Sequence, residues 1–171
     1  MKRYLLIIYI LVLSFNVGAA GEPASVNITL STTAPGYLLH GFLIDPETTA
    51  LVGTLTVTDA FNPDGAVLHY GIKTNTTIPL IVKAKISSFE EQDAPYPAEV
   101  PITRIEALSS SGPSTLDVGP EGTYNLLALT PTIGRVFYPY KLTVFVDQDT
   151  LLDAPVGRYV ATVELHIEAG I

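Results

Sequence analysis

The chain has 171 residues, no cysteine, and nine basic against seventeen acidic residues, a formal net charge of −8. The lack of cysteine excludes disulfides, thiol nucleophiles and thiolate metal sites. The acidic balance argues against nucleic acid and against anionic membrane surfaces as partners, while 47% hydrophobic residues is too apolar a composition for a disordered chain.

Residues 1–20 read as a secretory signal peptide. Lys2 and Arg3 make a positive start, Tyr4 to Leu13 is an apolar run, and Gly18-Ala19-Ala20 supplies small residues for cleavage after Ala20, with Ala19 as the near alternative. A spanning helix wants about 20 apolar residues, so the short run is read as a cleaved signal and not as an anchor. Cleavage leaves 171 − 20 = 151 residues, with 7 basic and 17 acidic side chains and a net charge of −10. That is the length of one domain.

The rest of the chain has a period of two, rich in Thr, Val, Ile, Leu and Tyr and punctuated by Pro and Gly. Ser25 to Ser31 alternates, with Val26, Ile28 and Leu30 on one face. Leu51 to Thr58 sets Leu51, Leu55 and Val57 against Thr54, Thr56 and Thr58. Val67 to Thr74 groups Leu68, Tyr70 and Ile72. Leu80 to Ser87 turns Leu80, Val82, Ala84 and Ile86 inward and Lys83 and Lys85 outward. Ile102 to Leu108, Tyr124 to Thr130 and Tyr140 to Val146 are further strands. Arg158 to Ala169 is the clearest: Tyr159, Ala161, Val163, Leu165 and Ile167 share one face.

Asn62-Pro63-Asp64-Gly65 is a turn. Ser110 to Ser114 and Gly119 to Gly122 have loop composition, Glu90 to Pro101 reads as an irregular connection, and no segment shows a helical stripe with caps. Many short strands separated by turns predict an all-β, immunoglobulin-like sandwich in a single domain.

The sequence offers little chemistry. His40, His69 and His166 lack metal-ligand spacing, and His166 between Glu164 and Glu168 reads as a solvated strand face. Asp147, Asp149 and Asp153 lack the glycine turn and terminal glutamate of a calcium loop and read as an acidic turn. There is no Gly-x-Ser-x-Gly elbow. Lys83 and Lys85 read as an exposed strand face or as edge charges. Asn27-Ile28-Thr29 and Asn75-Thr76-Thr77 match the glycosylation pattern. No cofactor, no metal and no enzymatic activity are expected.

Four stretches together resemble a known family. Ala24-Ser25-Val26-Asn27-Ile28-Thr29-Leu30-Ser31-Thr32-Thr33-Ala34-Pro35 is similar to the N-terminal segment of the major subunits of class 5 chaperone–usher fimbriae, the alpha-clade or colonization-factor-antigen type. Lys73-Thr74-Asn75 with Leu80-Ile81-Val82-Lys83-Ala84 resembles that family's paired central strands, and Val100-Pro101-Ile102-Thr103 the strand start after them. Ala154-Pro155-Val156-Gly157-Arg158-Tyr159-Val160-Ala161-Thr162-Val163-Glu164-Leu165 resembles its small–Pro or Ala–x–Gly–x–Tyr approach to the C-terminal strand. Residues 36 to 66 and 104 to 140 do not match clearly.

The resemblance implies a pilin-type sandwich that lacks one strand and is completed by a donor strand from another copy. Residues 21–35 would be the donor-strand extension, with Val26, Ile28 and Leu30 entering the neighbour's groove and Pro35 as hinge; residues 36–171 would be the domain. Tyr159, Val163, Leu165 and Ile167 would be the inward face of its C-terminal strand. The implied partners are other copies of the same or related subunits, a periplasmic chaperone, an outer-membrane usher and a host receptor, and the implied place is a fimbria on the cell surface, reached through the periplasm. On this reading Ile28→Asp blocks polymerisation and spares the domain's own core.

Alternation alone fits Val26 to Leu30 equally well as a strand of the chain's own sheet. The competing functional reading is a self-complete secreted binding module for a carbohydrate or host protein, with Phe61, Tyr96, Phe137 and Tyr138 as candidate loop aromatics.

Overall fold

The computed structural model describes residues 25–33, 36–109, 112–117 and 122–170. The expected signal peptide and the expected hinge Pro35 lie outside the described residues. Among those residues no helix is long and apolar enough to cross a membrane.

The chain is an all-β sandwich of two sheets. Its strands are β1 (Ser25–Thr33), β2 (Leu38–Leu43), β3 (Thr54–Thr58), β4 (Ala66–Thr74), β5 (Leu80–Ile86), β6 (Phe89–Glu91), β7 (Glu99–Val100), β8 (Ile102–Ser109), β9 (Gly112–Asp117), β10 (Gly122–Leu129), β11 (Val136–Val146) and β12 (Tyr159–Ala169), with a short helix α1 (Gln148–Asp153) before β12. One sheet has the order β10-β5-β12-β1-β3, with β6 beside β12 and β7 beside β6; the other has the order β2-β4-β11-β8-β9. All pairings are antiparallel except β1 with β12.

The alternating residues of the two inner faces meet between the sheets. Val26, Ile28, Val82, Ala84, Ala161, Val163, Leu165 and Ile167 come from the first sheet, and Phe42, Leu68, Tyr70, Ile72, Ile105, Leu142 and Val144 from the second; all are buried. Tyr70 is fully buried and its hydroxyl meets His40 Nδ1 at 2.9 Å, so the half-buried His40 satisfies a polar atom that would otherwise cost stability in the core.

Burial, and then the neighbouring Tyr140, pushes the Tyr70 hydroxyl well above its usual pKa. Burial and then Tyr138 push Tyr140 up to about 12. A folded pKa above the unfolded value of about 10 means that the folded chain holds protons the unfolded chain releases. This contribution is fully present below pH 10 and is lost as pH rises toward 12. The melting temperature is therefore expected to fall steeply from pH 10 to 12. Tyrosinate absorbance should rise together with unfolding, and a chain that stays folded while every tyrosine ionises would refute the assignment.

Several local expectations need correction. Glu90 to Pro101 is not irregular throughout: β6 and β7 pair, with Phe89 opposite Val100. Part of the Ser110 to Ser114 loop is strand β9, held by β8. The acidic turn is a capped helix. Asp147 Oδ1 accepts from the backbone N–H of Asp149 at 3.0 Å and of Thr150 at 3.2 Å, which satisfies two otherwise unpartnered donors of α1. Asp147→Ala should cost about 1 kcal/mol, a drop of about 2–4 °C in melting temperature at this chain length. An unchanged melting curve would mean that the cap contributes nothing. Lys83 and Lys85 are not edge charges, because β5 lies between β10 and β12; they pair with Glu168 at 2.5 Å and Glu164 at 3.5 Å.

Candidate strand-exchange site

β1 lies parallel to β12, its partners running from Ser25 opposite Val160 to Thr33 opposite Glu168. On its other side it pairs antiparallel with β3, from Ser25 opposite Thr58 to Thr29 opposite Thr54. Its inward side chains fall into line with those of both neighbours. Val26 sits between Ala161 and Val57, and Ile28 between Val163 and Leu55, while Leu30 stands opposite Leu165. Val26 and Ile28 are buried; Leu30, Leu55 and Val57 are half-buried against the same core. Outward, Asn27 and Thr29 are exposed.

β1 thus fills a groove of its own domain, walled by β12 and β3. Among the described strands β1 is the one hydrogen-bonded partner of β3, so β3 depends on β1 for its ladder. Because Ile28 is 2% exposed within the chain's own core, Ile28→Asp would strike that core and any exchange between copies alike. The expectation that it spares the domain is corrected.

The structure brings the C-terminal residues together on the inward face of β12. Tyr159, Val163, Leu165 and Ile167 are each 3% exposed or less. Tyr159 also donates its hydroxyl to the Pro155 carbonyl at 2.9 Å. A Cβ on Gly157, just before β12, would meet Glu91 Oε1 at 2.6 Å, so a side chain stands close to the backbone at this position. Among the described residues positive φ falls at Gly36, Gly65, Gly134 and Asp59, and Gly65 (81°) ends the Asn62–Gly65 turn.

Of the four aromatics read as loop residues, Phe137 and Tyr138 lie in strand β11, and all but Tyr96 are engaged within the fold. Phe61 packs edge-on against Phe89 and at a tilt against Tyr159, with ring centroids 5.0 and 5.4 Å away. Phe137 stands where a Cβ on Gly71 would be, 2.5 Å from its ring, and Tyr138 accepts from the Thr132 backbone at 2.8 Å. Tyr96 is exposed. Sequence reading missed that Gly71 pairs with Gly41 across β4 and β2, and that Leu51, Val52 and Phe137 lie over this pair. An isolated glycine inside the alternating β4 was the available signal, since it marks close approach of other atoms to the backbone.

Among the described residues no group of three or more His, Asp or Glu side chains is placed to hold a metal ion. No family model matches the chain, and no curated protein matches it.

Proposed function

We propose that this chain is a structural subunit of a surface fimbria, assembled when β1 of one copy occupies the β12–β3 groove of the next, with a role in adhesion. A periplasmic chaperone and an outer-membrane usher belong to this reading, since a chain with its groove open exposes apolar surface that must be covered before assembly. The observation that carries it is that the strand filling this groove is the first of the described strands. A terminal strand can leave and be replaced without any other strand being unthreaded, and strand addition of this kind supplies both a backbone ladder and side-chain pockets.

The direction of exit follows from the register. Thr33 stands beside Glu168, and Leu38 beside Thr74, which stands beside Val136. The end of β1 and the start of β2 therefore share one end of the sandwich, here termed the upper end. A strand swung out from there reaches a copy stacked above it and lies antiparallel to that copy's β12. Alternation keeps Val26, Ile28 and Leu30 on the inward side in either direction.

The reading is tested on cell-surface extract. Unboiled, the chain should run as a ladder on a denaturing gel and collapse to one band on boiling. A version carrying a second copy of residues 24–34 behind residue 171, on a short flexible linker, should give a stable monomer with no ladder. A ladder that persists undiminished in the fused version would refute donor-strand assembly.

A further inference from the structure

The two ends of the sandwich differ in chemistry. At the upper end, the loop between β10 and β11 carries Ile133, 90% exposed. That loop is braced: the backbone N–H of Thr132 donates to the Tyr138 hydroxyl at 2.8 Å, and the Arg135 guanidinium lies 4.6 Å over the Tyr37 ring. Residues 36–39, 73–79 and 129–138 contain no carboxylate, and they include Lys73 and Arg135.

At the lower end, where β11 finishes and β12 begins, a pocket of about 150 Å³ is lined by Phe61, Leu151, Ala154, Pro155, Val156 and Tyr159. An apolar cavity of about that volume takes one benzene-sized group, so one aliphatic side chain fits. Leu152 and Val156 beside it are 84% and 62% exposed. At this end stand Asp59, Asp64, Glu91, Asp147, Asp149 and Asp153, with Arg104 and Arg158 as bases among them.

We infer that Ile133 of one copy seats in this pocket of the next, with Arg135 facing the acids of the same end. The occupant is a second copy of this chain, on three grounds. The loop segments of the upper end, which carry Lys73 and Arg135 and no carboxylate while the nearby Glu168 is paired with Lys83, complement the acidic end. The exposed apolar residue complements an apolar pocket. The order of stacking proposed for strand exchange brings these same two ends together. In that last respect the inference rests on the fimbrial reading.

The two surfaces lie at opposite ends of β11, whose eleven residues span about 36 Å at roughly 3.3 Å each. A contact between unlike ends is head-to-tail and propagates instead of closing a two-fold dimer. It would set the angle between successive copies, which exchange of a strand alone does not fix.

The natural absence of cysteine makes the test direct. The full mature chain carrying Thr130→Cys and Leu152→Cys, both exposed beside the contact so that Ile133 and the pocket lining stay in place, is treated with a short bis-maleimide. Covalent trimers and longer species are expected from the double variant, while each single variant stops at dimers. Adding Arg135→Glu to the double variant should lower the yield of multimers several-fold, and an unchanged yield would overturn the charge pairing that assigns the partner surface. The ladder seen before boiling reports strand exchange separately. A ladder of that kind from double-variant chains whose covalent products stop at dimers would overturn this contact and leave the fimbrial reading standing. Covalent multimers from chains that form no such ladder would support the contact and count against strand exchange.

Discussion

Leu165→Asp is expected to abolish the folded chain. Leu165 is 1% exposed and stands in β12 with Leu30 opposite it in β1 and Ala84 opposite it in β5. Losing the buried leucine removes about 1.5–3 kcal/mol of apolar burial. The carboxylate meets apolar neighbours on both flanking strands and must either stay charged without a partner or take up a proton, and the cost is several kcal/mol in either case. Together these approach the whole stability of an ordinary domain, about 5–15 kcal/mol. Secreted yield and a cooperative melting transition should both be lost. Asn27→Asp, exposed on the outward face of β1, is the control and should change stability by no more than about 0.5 kcal/mol. Normal yield and melting of Leu165→Asp would show that this face of β12 is not core.

The second large effect is expected from removing β1. A chain beginning at residue 36 loses the burial of Val26 and Ile28, and with it the ladder to β12 and the whole ladder of β3. Two side chains at about 1.5–3 kcal/mol each, and backbone bonds at about 0.5–1.5 kcal/mol net each, again reach the scale of the total stability. The truncated chain should be unfolded or aggregated on its own. A synthetic peptide of residues 24–33 added in trans should restore a soluble, cooperatively melting species. The same peptide with Ile28→Asp should not. In this format the substitution does separate groove filling from domain folding, because the domain's own residues are untouched. A truncated chain that melts like the full one would remove the groove from consideration. One that the wild-type peptide fails to rescue would show that β1 acts only within its own covalent chain.

Both predictions rest on residues whose pattern was readable before the fold was known. β4, β5 and β12 alternate because one face of each is pressed into the core and the other meets water or polar neighbours, and a period of two follows from strand geometry alone. The strands that were missed break that condition. β2 reads LLHGFL without a clean alternation, since its outward face at Gly41 is covered by Leu51 and Val52. β9 begins at Gly112 with the composition of a loop and is a strand because β8 pairs with it. α1 is six residues long and buries none of them, so it had no apolar stripe to find; its signal was the capping aspartate.

The charge of the two ends could have been summed from the sequence, but their location could not. Which loops gather at one end depends on the direction of every strand between them. The candidate site was divided in the same way. Val26 and Ile28 had to face a core, because alternation sets the buried face of a strand whatever lies beside it. That β12 and β3 are the strands beside them, one parallel and one antiparallel, was decided only by the folded chain. Backbone hydrogen bonds are the same for every residue, so they do not record in a strand's own sequence which distant strand will accept them. The choice of neighbour is made by how all the inward faces pack at once.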